Sequence, residues 1–219
     1  MNRNSYSVLI VEDNRSSEII FERLFGDIKE VECNYDFCTD FTTTKFQIER
    51  KAKRGESYDL AILDIRLPGD DDFSGQTLAE LLLSISANTK IIFNSSLSSP
   101  YRFHQIFKLI NPRGYLVKHE HGYEELKEAV KKVIKGDTYF TESVKEYLTL
   151  RAMERFNLDD RDMEILYYAS IGTTTKDIPE LVSLSLSSVE KRKHAMAKRF
   201  GIQNATGELL RFAKENGIL

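Results

Sequence analysis

Asp59-Leu60-Ala61-Ile62-Leu63-Asp64-Ile65-Arg66-Leu67-Pro68 is the stretch on which the reading of this chain turns. Residues 59–63 form a nearly unbroken apolar run, the pattern of a short strand covered on both faces. The run stops at a single carboxylate, Asp64, and Pro68 closes the segment. Strands of that kind belong to parallel sheets wrapped by helices, and such sheets place their ligands at the carboxyl ends of the strands. Asp64 therefore stands where an α/β fold keeps its chemistry.

Working outward, runs at 7–11, 32–37, 90–94 and 114–117 also read as strands, and amphipathic patterns at 15–26, 41–54, 74–86, 100–110 and 123–135 read as helices. Five βα units in succession predict a doubly wound five-stranded parallel sheet over residues 1–136. The expected carboxyl ends carry Glu12-Asp13, Asp64, Ser95 and Lys118. Carboxylates gathered at one edge repel one another unless a cation sits among them, and oxygen ligands suit a hard ion such as Mg²⁺. Asp64 could then attack a phosphoryl group in line, with Lys118 supplying positive charge and Ser95 a hydrogen bond. Singly, each residue has a plainer reading: an acidic pair at a helix start, a turn aspartate, a loop hydroxyl, a solvated lysine. Together they place one suitable group on each of four strand ends.

After Gly136 the strand pattern stops. Residues 137–156 read as a partly helical linker, and 157–219 as a small all-α domain with helices at 160–170, 175–182, 187–200 and 206–216. Thr175 and Ser187 are expected N-caps, and Gly172 and Gly201 expected left-handed C-caps. Along 187–200, Val189, Met196 and Phe200 share one face, while Lys191, Arg192, Lys193, His194, Lys198 and Arg199 crowd the remainder. Such a helix fits the major groove of DNA, and it also fits a solvated face or an acidic protein.

The composition, 41% hydrophobic and 30% charged, is that of a globular protein and excludes disordered and collagen-like classes. A net charge of -3 means that any nucleic-acid surface must be locally concentrated. No apolar run approaches the length of a membrane span, and no signal-peptide core precedes the first strand, so a cytoplasmic location and no membrane partner are expected. Cys33 and Cys38 fit neither a disulfide framework nor a zinc site and read as small buried hydrophobes.

Glu12-Asp13 after a strand, Leu63 to Pro68, Ser95 after the fourth strand, and Gly114-Tyr115-Leu116-Val117-Lys118 together resemble the receiver domain of two-component response regulators. That resemblance implies Mg²⁺ held by Glu12, Asp13, Asp64 and the Arg66 backbone carbonyl. Asp64 would accept a phosphoryl group from a sensor histidine kinase. Ser95, or its neighbour Ser96, and Tyr115 would be the switch residues that move inward on phosphorylation. The chain would be a signalling switch whose only chemistry is its own phosphorylation and dephosphorylation.

In the second part, Leu158, Arg161, Asp162, Ile165, Leu166, Gly172, Lys176, Asp177, Ile178, Leu184, Ser185, Val189 and Gly201 resemble the LuxR/GerE-type helix-turn-helix domain. A receiver followed by this module is the NarL/FixJ arrangement. It implies promoter sites on double-stranded DNA as partner, and a homodimer when active. Glu190, Lys191 and His194 would face base edges, and Lys176, Ser185, Arg192 and Lys198 would meet phosphates. Three departures stand out: the acidic loop Gly69-Asp70-Asp71-Asp72-Phe73-Ser74-Gly75, Pro179 inside the expected scaffold helix, and Glu190 where the family is often basic. Two rivals follow. One is a phosphorylation-independent regulator. The other is a phosphatase resembling the haloacid dehalogenase family, which wants a second Asp where Arg66 stands.

Overall fold

A computed structural model describes residues 5–68, 74–203, 206–216 and 218–219. The chain divides into two compact units, Met1–Val144 and Lys145–Leu219. The division falls inside the segment expected to be a linker.

The first unit is a parallel sheet of six strands in the order β2-β1-β3-β4-β5-β6. The strands are β1 (Ser5–Val11), β2 (Glu32–Cys38), β3 (Leu60–Leu63), β4 (Lys90–Ser95), β5 (Gly114–Val117) and β6 (Tyr139–Phe140). The helices between them are α1 (Glu18–Asp27), α2 (Phe41–Lys53), α3 (Ser74–Ile85), α4 (Pro100–Leu109) and α5 (Tyr123–Lys135). The expected count of five strands is thus corrected to six. β6 has two residues, too few for any periodicity, and it pairs with Gly114 and Tyr115 of β5. Gly136 makes this possible: its φ of +103° ends α5 and lets the chain run back alongside β5.

The sequence dictates the faces. Val8, Ile10, Leu60, Ile62, Ile92 and Leu116 point to one side, where they meet Phe21, Leu24 and Phe25 of α1 and Leu126, Ala129, Val130 and Val133 of α5. Phe93 and Tyr115 alternate to the other side, where Tyr115 packs edge-on against Phe103 of α4 at 5.1 Å between ring centroids. Local signals fix the helix ends. Asp40 caps α2 by accepting from the Thr43 N–H at 2.8 Å, and Ser99 caps α4 with Pro100 just inside it. The first expected helix, 15–26, divides into a 3₁₀ turn (Arg15–Ser17) and α1.

The second unit holds most of α6 (Glu142–Phe156), with α7 (Asp160–Ser170), α8 (Ile178–Val182), α9 (Leu186–Phe200) and α10 (Thr206–Glu215). Its core gathers Ile165, Leu166, Ile178, Val182, Val189, Met196, Phe200, Leu209 and Ala213. Phe156, Phe200 and Phe212 close it as a trio with centroids 4.5 to 5.3 Å apart. Two expectations are corrected here. α8 begins at Ile178 rather than Thr175, because Pro179 has no N–H to bond the Thr175 carbonyl and fits only the first turn. The cap of α9 is Ser185, not Ser187; its Oγ accepts from the Ser188 N–H at 3.2 Å. Gly172 and Gly201 do take left-handed conformations, with φ of +92° and +69°.

Candidate functional site

Five of the sequence-predicted residues, Glu12, Asp13, Asp64, Ser95 and Lys118, meet at the carboxyl edge of the first unit's sheet. Lys118 Nζ donates to Asp64 Oδ2 at 2.6 Å and to both carboxylate oxygens of Glu12, at 2.9 and 2.7 Å. The Ser95 hydroxyl donates to Asp64 Oδ1 at 2.7 Å, and the Ile65 and Arg66 N–H groups reach the same oxygen at 2.6 and 3.3 Å. Glu12, Asp13 and Asp64 each offer a carboxylate oxygen within 4.8 Å of one another. Glu12 and Asp64 are buried, 6% and 8% exposed, whereas Asp13 is exposed.

The electrostatics follow from that crowding. Burial pushes the Glu12 carboxyl above its ordinary value, with Lys118 opposing and Asp64 adding to the rise. Burial alone would lower the Lys118 ammonium, but its hydrogen bonds and charge pairing with Asp64 and Glu12 prevail and hold it up. Here is a buried anionic pocket closed by one fixed cation. Such a donor set, oxygen only and two carboxylates richer than its one lysine can balance, fits a metal ion of the hard class.

Tyr115 is fully buried and donates its hydroxyl to the Leu97 carbonyl at 2.8 Å. Leu97 lies two residues beyond Ser95, so the start of the β4–α4 loop is bonded to the Asp64 carboxylate at one point and to the aromatic at another. Ser95, not Ser96, makes the Asp64 contact.

Sequence reasoning missed the role of Gly75. Its N–H donates to the Ile65 carbonyl at 2.9 Å, and beside it the Ser74 hydroxyl bridges the Leu67 N–H and the Ile65 carbonyl. A Cβ on Gly75 would lie 2.0 Å from the Asp64 carbonyl oxygen and 2.7 Å from Ile65 Cα. α3 therefore backs directly onto the peptide that carries the Asp64 carboxylate. Gly75→Ala is expected to lower stability by about 2 kcal/mol, the scale of a strained overpacking, and to displace the Asp64 carboxylate. Thermal melting and, on the sequence-based expectation that Asp64 is phosphorylated, the rate of phosphoryl uptake would report the two effects separately. Gly69 to Phe73, which include the acidic run Asp70–Asp72, lie outside the described residues.

In the second unit, Ser187, Glu190, Lys191, His194 and Lys198 are all exposed, and their spacing puts them along one side of α9. Lys176 is exposed in the turn ahead of α8, and the Ser185 hydroxyl is engaged in capping. Arg192 has other partners. Its guanidinium donates to Asp159 Oδ1 and Oδ2 at 2.9 and 2.8 Å and to Asp162 Oδ1 at 2.8 Å. Arg199 takes the second oxygen of Asp162 at 3.1 Å, and also the Asn157 carbonyl. Asp162 is 1% exposed, so two arginines of α9 are pinned to one buried carboxylate of α7. Lys193 also turns inward. Its ammonium donates to Thr175 Oγ1 and Thr206 Oγ1 at 2.8 Å each, and burial lowers its pKa.

Cys33 and Cys38 are free thiols on β2, and burial pushes the Cys33 thiol up to about 11. Among the described residues no helix is long and apolar enough to cross a membrane.

No protein-family model matches the chain. It is 31% identical over 160 residues to the uncharacterized transcriptional regulatory protein YvfU of Bacillus subtilis (strain 168), covering 73% of this chain and 75% of that protein. It is 26% identical to the transcriptional regulatory protein DesR of the same organism, over 96% of this chain and 98% of that one. The structure of RcsB from Salmonella enterica serovar Typhimurium, bound to promoter P1flhDC with the phosphomimetic BeF3-, superposes with a TM-score of 0.56 at 19% identity, covering 97% of this chain and 98% of RcsB. The isolated REC domain of the same protein covers 66% of this chain and 99% of its own length, with a TM-score of 0.55 and 21% identity. At such identities the two structures speak for the fold.

Proposed function

The chain belongs to the response regulators of the NarL/FixJ type, and from that membership we propose that it is a phosphorylation-controlled, DNA-binding transcription regulator. The observation that carries the reading is the Asp64 carboxylate, held between Lys118 and Ser95 beside Glu12 and Asp13. In this reading a sensor histidine kinase presents a phosphohistidine. An Asp64 oxygen attacks phosphorus in line, the phosphorus–nitrogen bond breaks, and the imidazole leaves with a proton.

Lys118 then offers its ammonium to a phosphoryl oxygen, and the Ser95 hydroxyl turns from the carboxylate to another. Mg²⁺, held by Glu12, Asp13, Asp64 and the Arg66 carbonyl, would supply charge neutralisation for the transfer. Moving Ser95 shifts the loop that Tyr115 also grips, and so couples the acceptor to α4 and β5. The chain's own chemistry ends with gain and loss of that phosphoryl group. It is a switch, not a metabolic enzyme, and it works in the cytoplasm.

The output is the exposed side of α9. As the recognition helix of a helix-turn-helix it would present Glu190, Lys191 and His194 to base edges, with Lys176, Ser185 and Lys198 near phosphates. We assign Arg192 instead to holding α9 against α7, since Asp159 and Asp162 occupy its guanidinium. Paired half-sites on double-stranded DNA would be bound by a homodimer, in keeping with the solved structure of two RcsB dimers bound to two parallel DNAs.

The test uses purified full-length protein, acetyl phosphate and Mg²⁺, read by intact mass and DNA affinity. One phosphoryl group should be gained and promoter affinity should rise. Chelating Mg²⁺ should slow the gain by at least roughly a hundredfold, since the developing charge then loses its main neutraliser. Uptake indifferent to Mg²⁺, or DNA affinity indifferent to uptake, would count against the reading.

A further inference from the structure

The face of the sheet that packs on α1 and α5 carries Ile10, Ile62, Ile92 and Leu116 as neighbouring columns. Side chains alternate along a strand, so two residues further on the same columns carry Glu12, Asp64, Asn94 and Lys118. Three of these four are bonded to one another. The fourth, Asn94, is 7% exposed and lies on the strand between those of Asp64 and Lys118. Lys118 leaves β5 and reaches Asp64 beyond β3 and Glu12 beyond β1. In register Asn94 lies opposite Leu116, one pleat before Lys118, so the lysine stem crosses the end of the β4 column just beyond Asn94.

Asn94 is itself gripped. His121 Nε2 lies 2.9 Å from Asn94 Oδ1, and His121 Nδ1 lies 3.1 Å from the Gly122 carbonyl. His121 and Lys118 belong to the same short connection from β5 to α5. That connection is thus fastened at both ends, by the lysine to two carboxylates and by the histidine to an asparagine beside the lysine's path. A leucine at 94 would fill the column without burying an amide, which is unfavourable unless its hydrogen bonds are made. The amide gains its purpose from His121.

We infer that Asn94 and His121 are positioning residues that aim Lys118 at the phosphoryl site. The inference rests on the reading of Asp64 as the phospho-acceptor. A lysine is a point charge on a flexible stem with many rotamers. Anchoring the backbone on its far side, and shaping the surface beside its stem, holds the ammonium where transferred charge appears. Neither residue touches the reacting atoms.

The test compares Asn94→Leu, His121→Ala and His121→Gln with wild type, using acetyl phosphate at saturating Mg²⁺ and intact mass for the rate. Misplacing a charge by a fraction of an ångström is expected to slow uptake roughly tenfold in Asn94→Leu and His121→Ala. His121→Gln, whose amide still donates to Asn94 Oδ1, should recover most of the rate. Mg²⁺ affinity by calorimetry should stay within about twofold of wild type in all three, because Glu12, Asp13 and Asp64 are untouched. In a Lys118→Ala background the same changes should cause no further slowing, since residues acting through one lysine are not additive with its loss. Wild-type rates in both disruptive variants would overturn the inference. So would slowing that multiplies with Lys118→Ala, or that accompanies lost Mg²⁺ affinity. Absence of phosphoryl uptake by wild type would overturn the acceptor reading itself, and the inference with it; that result is seen before any variant is made.

Discussion

Asp64→Ala is expected to take up no phosphoryl group from acetyl phosphate or from a kinase, while keeping its fold. Asp64 is the carboxylate that Lys118 and Ser95 both hold, and the base bonded to the Ser95 hydroxyl is Asp64 itself, which the change removes. The loss should be complete rather than partial, because covalent chemistry at one atom has no substitute. The companion change, Lys118→Met, separates charge from nucleophile. It leaves Glu12 and Asp64 buried with Asp13 close by, and removes the one ammonium that now bonds two of them.

Breaking such a pair leaves uncompensated buried charge; with the lysine partly exposed, the loss should be about 2 kcal/mol without metal. Its pH dependence has a definite sign. Glu12 is already raised above its ordinary value, so the stability it contributes is fully present below the unfolded value and is lost as pH rises through the folded one. Removing Lys118 raises it further and widens that window. Metal-free Lys118→Met should therefore melt at a lower temperature at about pH 7 than at about pH 5, and Mg²⁺ should restore it. A melting temperature indifferent to both pH and Mg²⁺ would mean that the acidic cluster is not electrostatically strained. DNA affinity unchanged by Asp64→Ala and by phosphodonor alike would favour the phosphorylation-independent rival.

Much of this site was legible because its signals are local. An apolar run ending on a carboxylate, repeated with other polar groups on neighbouring strands, needs only the period of a strand and the rule for parallel sheets. Asn94 obeys the same period, two residues after Ile92 as Asp64 is after Ile62, and could have been found by it. What hid it was its type, since asparagine suggests no charge chemistry. Arg192 and Lys193 were open to a similar reading. They fall three and four residues after Val189 on the flank of the apolar face, so a turn toward the core was written in the spacing. Gly75 is different. Its close approach to the Asp64 carbonyl is a tertiary fact of α3 meeting the end of β3, and no pattern in the sequence states it. The two residues of β6 likewise carry no period of their own.

Asp162→Ala should be the most damaging single change in the second unit. The carboxylate is 1% exposed and receives Arg192 on one oxygen and Arg199 on the other, while the arginines themselves remain about a third exposed. Removing it leaves two guanidiniums facing a void on α7, and a hole where the buried acid stood. A buried acid lost from such a pair costs about 3 kcal/mol, reduced here because the arginines can turn to water. Asp159 cannot take over, since it is the exposed N-cap of α7 and already bonds Arg192.

The consequence for function is separable from the consequence for stability. α9 is held to α7 through these ion pairs and to its neighbours through Lys193 and the aromatic trio. Losing the first anchor should let the helix shift while the core persists, so DNA affinity should fall by more than the unfolded fraction explains. At the same time Arg199 loses its carboxylate and becomes available to phosphates, while Arg192 keeps Asp159, so the salt dependence of the residual binding should steepen by about one counterion. Chemical denaturation gives the stability, and binding titrations at several salt concentrations give the slope. Weaker binding with an unchanged slope would mean that Arg199 finds a new partner within the domain. Undiminished binding by the folded fraction would mean that the α7 anchor does not set the pose of α9 at all.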